Sequence, residues 1–372
     1  MALFNATLSE LKNQGRYRSL KCPDGIDLTS NDYLGMAVHP ELRAHAMALL
    51  EGGMDIGAAG SRLLRGHTQA HQDLEDFAAA HFNAGKTLYF SSGFMANYAL
   101  LTALPARGDI ILYDALVHAS MRDGLVAAKA KSFKFAHNDL NALEDVLKRY
   151  QGKAKRLWIA IESVYSMDGD TAPVQEIYNL AEKYDAMFIV DEAHGTGVFG
   201  EGGRGLCWDI IQKNGYDRLI TLHTCGKAIG VAGGLVCASA EVIDYLVNTS
   251  RPFIYSTATI PLQASLVQKS LEILASDDGD KRRTQLMALC AYAKENFGGA
   301  GTQIIPIILG DDKSALGAAD ALQKHGFDVR AIRPPTVPEG SARLRISLSS
   351  LLNLEIMRDF VSCYNNVKNA GA

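Results

Sequence analysis

Short runs of β-branched and aromatic residues alternate along this chain with stretches of helical period, the pattern of an α/β protein built on a mainly parallel sheet. The predicted strands are Thr87–Phe90, Asp109–Tyr113, Leu157–Glu162, Met187–Val190, Leu219–Leu222 and Gly234–Ala238. Between them the apolar spacing predicts helices, for example over Leu140–Tyr150 and Val174–Tyr184. Toward the C-terminus Ile304–Leu309, a helix over Ser314–His325, Val329–Ile332 and Leu344–Leu348 read as a smaller α+β unit, entered through a long helix over Pro261–Leu274. The expected organisation is an N-terminal helix and arm (1–40), a large domain (41–270) and a small C-terminal domain (271–372).

Composition narrows the class. Hydrophobic residues make up 48% and charged residues 21% of the 372, with a net charge of −4. These values suit a globular protein and lack the clustered basic charge of a nucleic-acid footprint. The densest basic run, Lys281-Arg282-Arg283, follows Asp277, Asp278 and Asp280 and reads as a solvated helix start. Six scattered cysteines without a C-x-x-C pair favour reduced thiols over disulfides or a metal site. The N-terminus has no signal-peptide pattern and no stretch approaches ~18 apolar residues, so a cytoplasmic protein without a membrane span is expected.

Two motifs are decoys. Gly195-Thr196-Gly197-Val198-Phe199-Gly200 matches G-x-G-x-x-G, but a dinucleotide fingerprint must follow its strand directly and open a helix. Here the strand ends at Val190 and Glu201-Gly202-Gly203-Arg204-Gly205 follows. Asp191-Glu192-Ala193-His194 spells a helicase box, yet Gly226-Lys227 lacks the remainder of a phosphate-binding loop.

Chemistry concentrates at strand ends, where open α/β sheets bind ligands. Phe90 runs into Ser91-Ser92-Gly93-Phe94-Met95-Ala96-Asn97, either an ordinary helix cap or a turn whose amides cradle a phosphate. Asp191 and His194 follow another strand; they are either a capping acid and a packed imidazole, or partners for a ring nitrogen and a phenolic oxygen. Lys227 lies among Cys225, Gly226, Ala228, Ile229 and Gly230, surroundings expected to depress its pKa and free the amine for Schiff-base chemistry. His118 could lie over a flat ring, although a lone histidine is more often structural. Taken together, a phosphate turn, an acid, an imidazole and a sheltered lysine fit a pyridoxal 5′-phosphate site.

The motifs SNDYLG (30–35), GSRLLRGHTQAHQDLE (60–75), SSGFMAN (91–97), HAS (118–120), FAHND (135–139), SVYSMDGDTAP (163–173), VDEAHGTGVFGEGGRG (190–205), TCGKAIG (224–230), IYST (254–257) and AIRPPTVPEGSARLRISLS (331–349) cover nearly the whole chain. In them the sequence resembles the α-oxoamine synthases, pyridoxal-phosphate enzymes of the aspartate-aminotransferase fold. The RPPTVPEG…RLR stretch points to their biotin-synthesis branch. The resemblance implies that Lys227 carries the cofactor and serves as base, and that Gly93, Phe94 and Thr224 sit at its phosphate. Ser256 and Thr257 would reach that phosphate from the partner subunit of a homodimer. His118 would stack on the ring and act as acid or base, Asp191 would pair with the ring nitrogen, and His194 and Ser166 would lie near the phenolic oxygen. Arg345 would hold the amino-acid carboxylate, with Arg18, Asn31 and Thr336 along the acyl chain. The implied reaction joins L-alanine to a pimeloyl thioester with loss of carbon dioxide and thiol. Against this stand a sister synthase using glycine or serine, a catalytically silent subunit of the same fold, and a cofactor-sensing regulator. The RPPT segment, Lys227 and the lack of room for a DNA-binding domain, in that order, weigh against the three. Two departures from the family pattern are a short N-terminal arm and Cys225 in place of an apolar or aromatic residue.

Overall fold

The buried, β-branched runs fold as seven strands of one sheet. These are β1 (Lys86–Phe90), β2 (Ile110–Asp114), β3 (Lys131–Phe135), β4 (Leu157–Glu162), β5 (Ala186–Asp191), β6 (Leu219–Thr224) and β7 (Gly234–Ala238). The structure, a computed structural model, describes residues 2–369. The strand order is β1-β7-β6-β5-β4-β2-β3. All neighbouring pairs are parallel except those of β7, which runs antiparallel to both β6 and β1. Every residue of β4 and β6 is buried, as expected of central strands with both faces covered.

The chain divides into two compact units. The sheet unit comprises Leu34–Ser166 and Thr171–Arg283; the other comprises the residues up to Tyr33, Met167–Asp170 and Thr284 onward. In the sheet unit, helix Gly93–Ala103 is apolar nearly all round and is buried through Ala96, Ala99, Leu100 and Leu101. These residues share one core with Ile111, Met121, Leu125, Ile189, Ile220 and Val236. In the other unit, Ala342–Ser347 is the central strand of three, antiparallel to Ile304–Gly310 and to Ala331–Ile332. Ile26–Asp27 pairs with Phe327–Asp328, and Arg16 bonds Asp312 (3.0 Å) and Glu339 (2.8 Å), so the N-terminal arm belongs to this unit.

Several boundaries differ from the sequence reading. Strand β2 begins at Ile110 because the Asp109 carboxylate is occupied in a turn, accepting from the Ala106 N–H (2.9 Å) and Trp158 Nε1 (3.0 Å). The expected strand over Val329–Ile332 is two short ones with different partners, and Arg330 folds back on Asp328 (2.8 Å) between them. Lys281–Arg283 does lie in the first turns of a helix, Asp277–Phe297, with its acids toward the positive N-terminal end. The run is not simply solvated, however. Arg283 is buried, donating to the carbonyls of Leu274 (2.9 Å) and Gly197 (3.3 Å), and Arg282 bonds Asp278 (2.6 Å) and the Leu34 carbonyl (2.9 Å).

The glycine-rich segment after β5 opens no α-helix, only a 3-10 turn at Glu201–Gly203. Gly197, Gly200, Gly202, Gly203 and Gly205 all have positive φ, and the next α-helix begins only at Trp208. Glu192 anchors this loop from within, fully buried and accepting from Ser163 Oγ (2.6 Å) and the Cys207 N–H (2.7 Å). All six cysteines are free thiols. No described helix is long and apolar enough to cross a membrane.

Candidate active site

Three strand ends converge on one set of polar groups in the sheet unit. β5 ends in Asp191, only 3% exposed, whose Oδ1 accepts from the Ala193 N–H (2.8 Å) and whose Oδ2 accepts from Asn97 Nδ2 (2.6 Å). Asn97 stands on helix Gly93–Ala103, and the same amide nitrogen donates to Ser120 Oγ (3.0 Å). Ser120 Oγ in turn lies 2.8 Å from His118 Nδ1, which also accepts from the Ser120 N–H (3.2 Å). Because an N–H and a hydroxyl both point at Nδ1, that nitrogen is the acceptor and the proton of neutral His118 sits on Nε2. Burial lowers the His118 pKa; the Asp191 carboxylate opposes that shift and Lys227 adds to it.

Lys227 stands in the connection between β6 and the antiparallel β7. The turn is tied by Cys225 N–H to the Gly233 carbonyl (2.9 Å), Val231 N–H to the Cys225 carbonyl (2.9 Å) and Gly230 N–H to the Lys227 carbonyl (2.7 Å). Lys227 Nζ lies 2.6 Å from His194 Nε2, and His194 is itself 2% exposed. Cys225 is fully buried, which pushes its thiol pKa up and leaves it no nucleophilic role at neutral pH.

The turn at 91–97 serves as a helix cap: Ser92 Oγ accepts from the Met95 N–H (3.1 Å). It is also tightly packed. A Cβ on Gly93 would come within 2.8 Å of Thr224 Oγ1, so only glycine lets the backbone approach the end of β6 this closely. Phe94 is 43% exposed on the first turn of the helix. Ser166 N–H donates to Glu162 Oε2 (3.3 Å) at the end of β4.

Ser256 is half-buried and Thr257 exposed. Their segment is held from beneath by the motif at 60–75. Thr257 bridges Ser61, the Ala258 N–H donates to the Gly60 carbonyl (2.9 Å), and His71 Nε2 lies 3.0 Å from Thr259 Oγ1. A buried pair, Arg62 with Glu75 (2.8 Å), ties the motif to β1 through the Tyr89 N–H (2.7 Å).

The four residues expected to hold substrates lie in the other unit. There Arg345 is 7% exposed and bonds Ser347 Oγ (2.6 Å), Asn31 Oδ1 (3.0 Å) and Tyr33 OH (3.4 Å). Arg18 Nη2 bonds Thr336 Oγ1 (3.2 Å), and both line a cavity of about 170 Å³ with Arg16 and Arg333.

Sequence reasoning passed over Asn97, Ser120 and Glu162. Each lies inside or beside a motif; Asn97 and Glu162 are polar residues on an otherwise apolar helix and strand, the signal that marked them, and Ser120 carried none beyond its motif.

Comparison with known proteins identifies the family. The family model for aminotransferase class I and II matches residues 23–362. An 8-amino-7-oxononanoate synthase from Herminiimonas arsenicoxydans is 40% identical over 371 residues, covering 93% of this chain and 94% of that one. Among solved structures, a serine palmitoyltransferase from S. paucimobilis with bound PLP superposes with a TM-score of 0.89 at 25% identity, covering 99% and 98% of the two chains. An 8-amino-7-oxononanoate synthase from Francisella tularensis gives 0.75 at 26% identity over 94% and 99%. The chain belongs to the aminotransferase class I and II family, as an α-oxoamine synthase of the acyltransferase class that groups with the 8-amino-7-oxononanoate synthases.

Proposed function

We propose that this chain holds pyridoxal phosphate on Lys227 and condenses L-alanine with a pimeloyl thioester, giving 8-amino-7-oxononanoate, carbon dioxide and free thiol. The observation that carries the reading is the meeting of Lys227 Nζ with His194 (2.6 Å) beside the Asp191–Asn97–Ser120–His118 chain. The residues fit the cofactor. Asn97 Oδ1 is buried without a hydrogen-bond partner, and the turn at Gly93 has room for backbone but not for a Cβ.

When bound, pyridoxal phosphate supplies an electron sink for bonds breaking at the amino-acid α-carbon. The chain does the rest. The Asp191 carboxylate keeps a positive charge on the ring nitrogen, and Asn97 and the Ala193 N–H hold it in place. The Gly93–Phe94 turn and Thr224 receive the phosphate. His118, with its proton on Nε2, would lie over the ring and move protons, while His194 and Ser166 would serve the phenolic side. Lys227 would hold the cofactor and, as a neutral amine, would serve as the base that takes the α-proton and returns one. Arg345, aligned by Asn31, Tyr33 and Ser347, grips the α-carboxylate with its planar fork. Arg18 and Thr336, beside Arg16 and Arg333, suit the distal carboxylate of the acyl chain.

Substrate choice follows from these contacts. Arg345 grips any amino acid alike, so alanine is selected only by a pocket for one methyl, worth ~1–3 kcal/mol. Glycine should therefore turn over measurably but poorly. An acyl chain without a distal carboxylate forgoes charge-assisted bonds to Arg18 and Arg333 and should also turn over less well. Thiol release compared across alanine, glycine and serine, each with pimeloyl, acetyl, succinyl and palmitoyl thioesters, checks this. A preference for glycine with acetyl or succinyl donors, or for serine with palmitoyl, moves the chain to a sister activity.

A homodimer with shared sites is the second part of the proposal. Around the Ser61–Thr257 bridge, Ile56, Leu63, Leu64 and Tyr255 are 75%, 52%, 79% and 71% exposed, an apolar surface that calls for a partner. Lys227→Ala and Thr257→Ala chains, each inactive alone, should regain activity when refolded together, because one of the two sites then collects both lesions. Confirmed heterodimers without recovery would exclude a shared site.

A further inference from the structure

Glu162 and Asp191 are direct partners in the parallel register of β4 and β5, at the carboxyl ends of both strands. Neighbouring strands lie about 4.8 Å apart, so two carboxyl groups share one buried corner. Their surroundings are unequal. Asp191 receives two short donors, at 2.6 and 2.8 Å. Glu162 is 2% exposed and receives the Ser166 N–H at 3.3 Å on Oε2, while Oε1 is sealed from solvent with no hydrogen bond. The backbone N–H of His118 also faces this carboxyl, and across the corner stands Lys227. Two adjacent buried carboxylates do not both ionise, and the proton goes to the one with fewer donors.

We infer that Glu162 is a positioning residue, present as the uncharged acid, that fixes the backbone at His118 and Ser166 and leaves the negative charge of the pocket on Asp191. The inference rests on the pyridoxal-phosphate reading for what that charge does. An ionised Glu162 would compete with His194 for Lys227 and hold the lysine as an ammonium ion, unable to act as a base. As a neutral acid it places no second negative charge opposite the lysine and still faces the two backbone amides. Burial, with the Asp191 carboxylate second, pushes the Glu162 pKa well above the usual range; Lys227 and the two amides oppose this without reversing it.

Glutamine mimics the neutral acid in shape and donors, which makes the inference testable. Full-length wild type, Glu162→Gln and Glu162→Ala would be stripped of cofactor and titrated with pyridoxal phosphate, following visible absorbance and its pH profile. Expected are an affinity for Glu162→Gln within about 3-fold of wild type with an unmoved profile, and a loss of at least 10-fold for Glu162→Ala. The inference is overturned if glutamine weakens binding 10-fold, shifts the profile by a pH unit, or fails to fold, or if alanine binds as wild type does. Should alanine not fold, the glutamine result decides alone.

Melting of the cofactor-free proteins separates the two readings. An acid whose folded pKa is raised contributes stability fully present below the unfolded value of about 4.3, and that stability is lost as pH rises toward the folded value. Cofactor-free wild type should therefore fall behind Glu162→Gln as pH rises from about 4. The opposite trend overturns the Glu162 inference even if no protein binds pyridoxal phosphate, a result that would by itself sink only the cofactor reading.

Discussion

Lys227→Ala is expected to lower thiol release at least ~10³-fold, about 4 kcal/mol of transition-state stabilisation, because it removes both the covalent anchor and the base. Its thermal midpoint should stay close to that of wild type. Lys227 is half-buried, and the turn that carries it is held by backbone bonds from Cys225, Gly230 and Val231 that do not involve its side chain. Borohydride reduction of the yellow wild-type protein should fix the cofactor to one peptide, the one containing Lys227. Label on another lysine, or turnover by the alanine variant near the wild-type rate, refutes the assignment.

Asp191→Asn is expected to cost ~10²-fold in turnover, about 2.7 kcal/mol, and to weaken pyridoxal phosphate binding as well. The substitution keeps shape but removes charge, so nothing holds the ring nitrogen in its protonated form. It also disrupts the network locally. Asp191 accepts on both oxygens, from Asn97 and from the Ala193 N–H. An asparagine has one acceptor, so its amide nitrogen must face one of these two donors. His118 should feel the change through Asn97 and Ser120, and the pH profile of turnover should move with it. A variant that keeps both turnover and cofactor affinity would show that the ring nitrogen is served by another group.

What could be read from sequence was what is local. Leu157–Glu162, Gly234–Ala238 and the helix Leu140–Tyr150 match their predicted bounds because the apolar pattern of each is complete within its own segment. Lys131–Phe135 escaped notice because it is an edge strand, where alternating Lys and Phe lack the continuous apolar run of a central strand. Within the site, the motif residues His118, Asp191, His194 and Lys227 could be named one by one. The hydrogen bonds that make them a unit could not, since Asn97 and Asp191, or Ser166 and Glu162, meet only through sheet register and helix docking. Ser92 shows a different limit. The sequence posed cap and cradle as alternatives, whereas the structure has one turn with Ser92 as the cap and a glycine beside it at the sheet end.

The antiparallel β7 has a consequence for how the molecule is made. β1 is an edge strand whose one neighbour in the sheet is β7, with Lys86 opposite Ala238 and Phe90 opposite Gly234. A ribosome delivers β1 early, yet its hydrogen-bonding edge finds no strand until Ala238 has emerged, on the order of ten seconds later at ordinary elongation rates. Gly93 and Thr224 come together only with that closure. The nascent chain must wait with one strand unpaired, and the cradle at Gly93 is among the last pieces of the sheet unit to form. Truncation before residue 234 should leave a product prone to edge-to-edge association, because β1 then lacks its one strand neighbour.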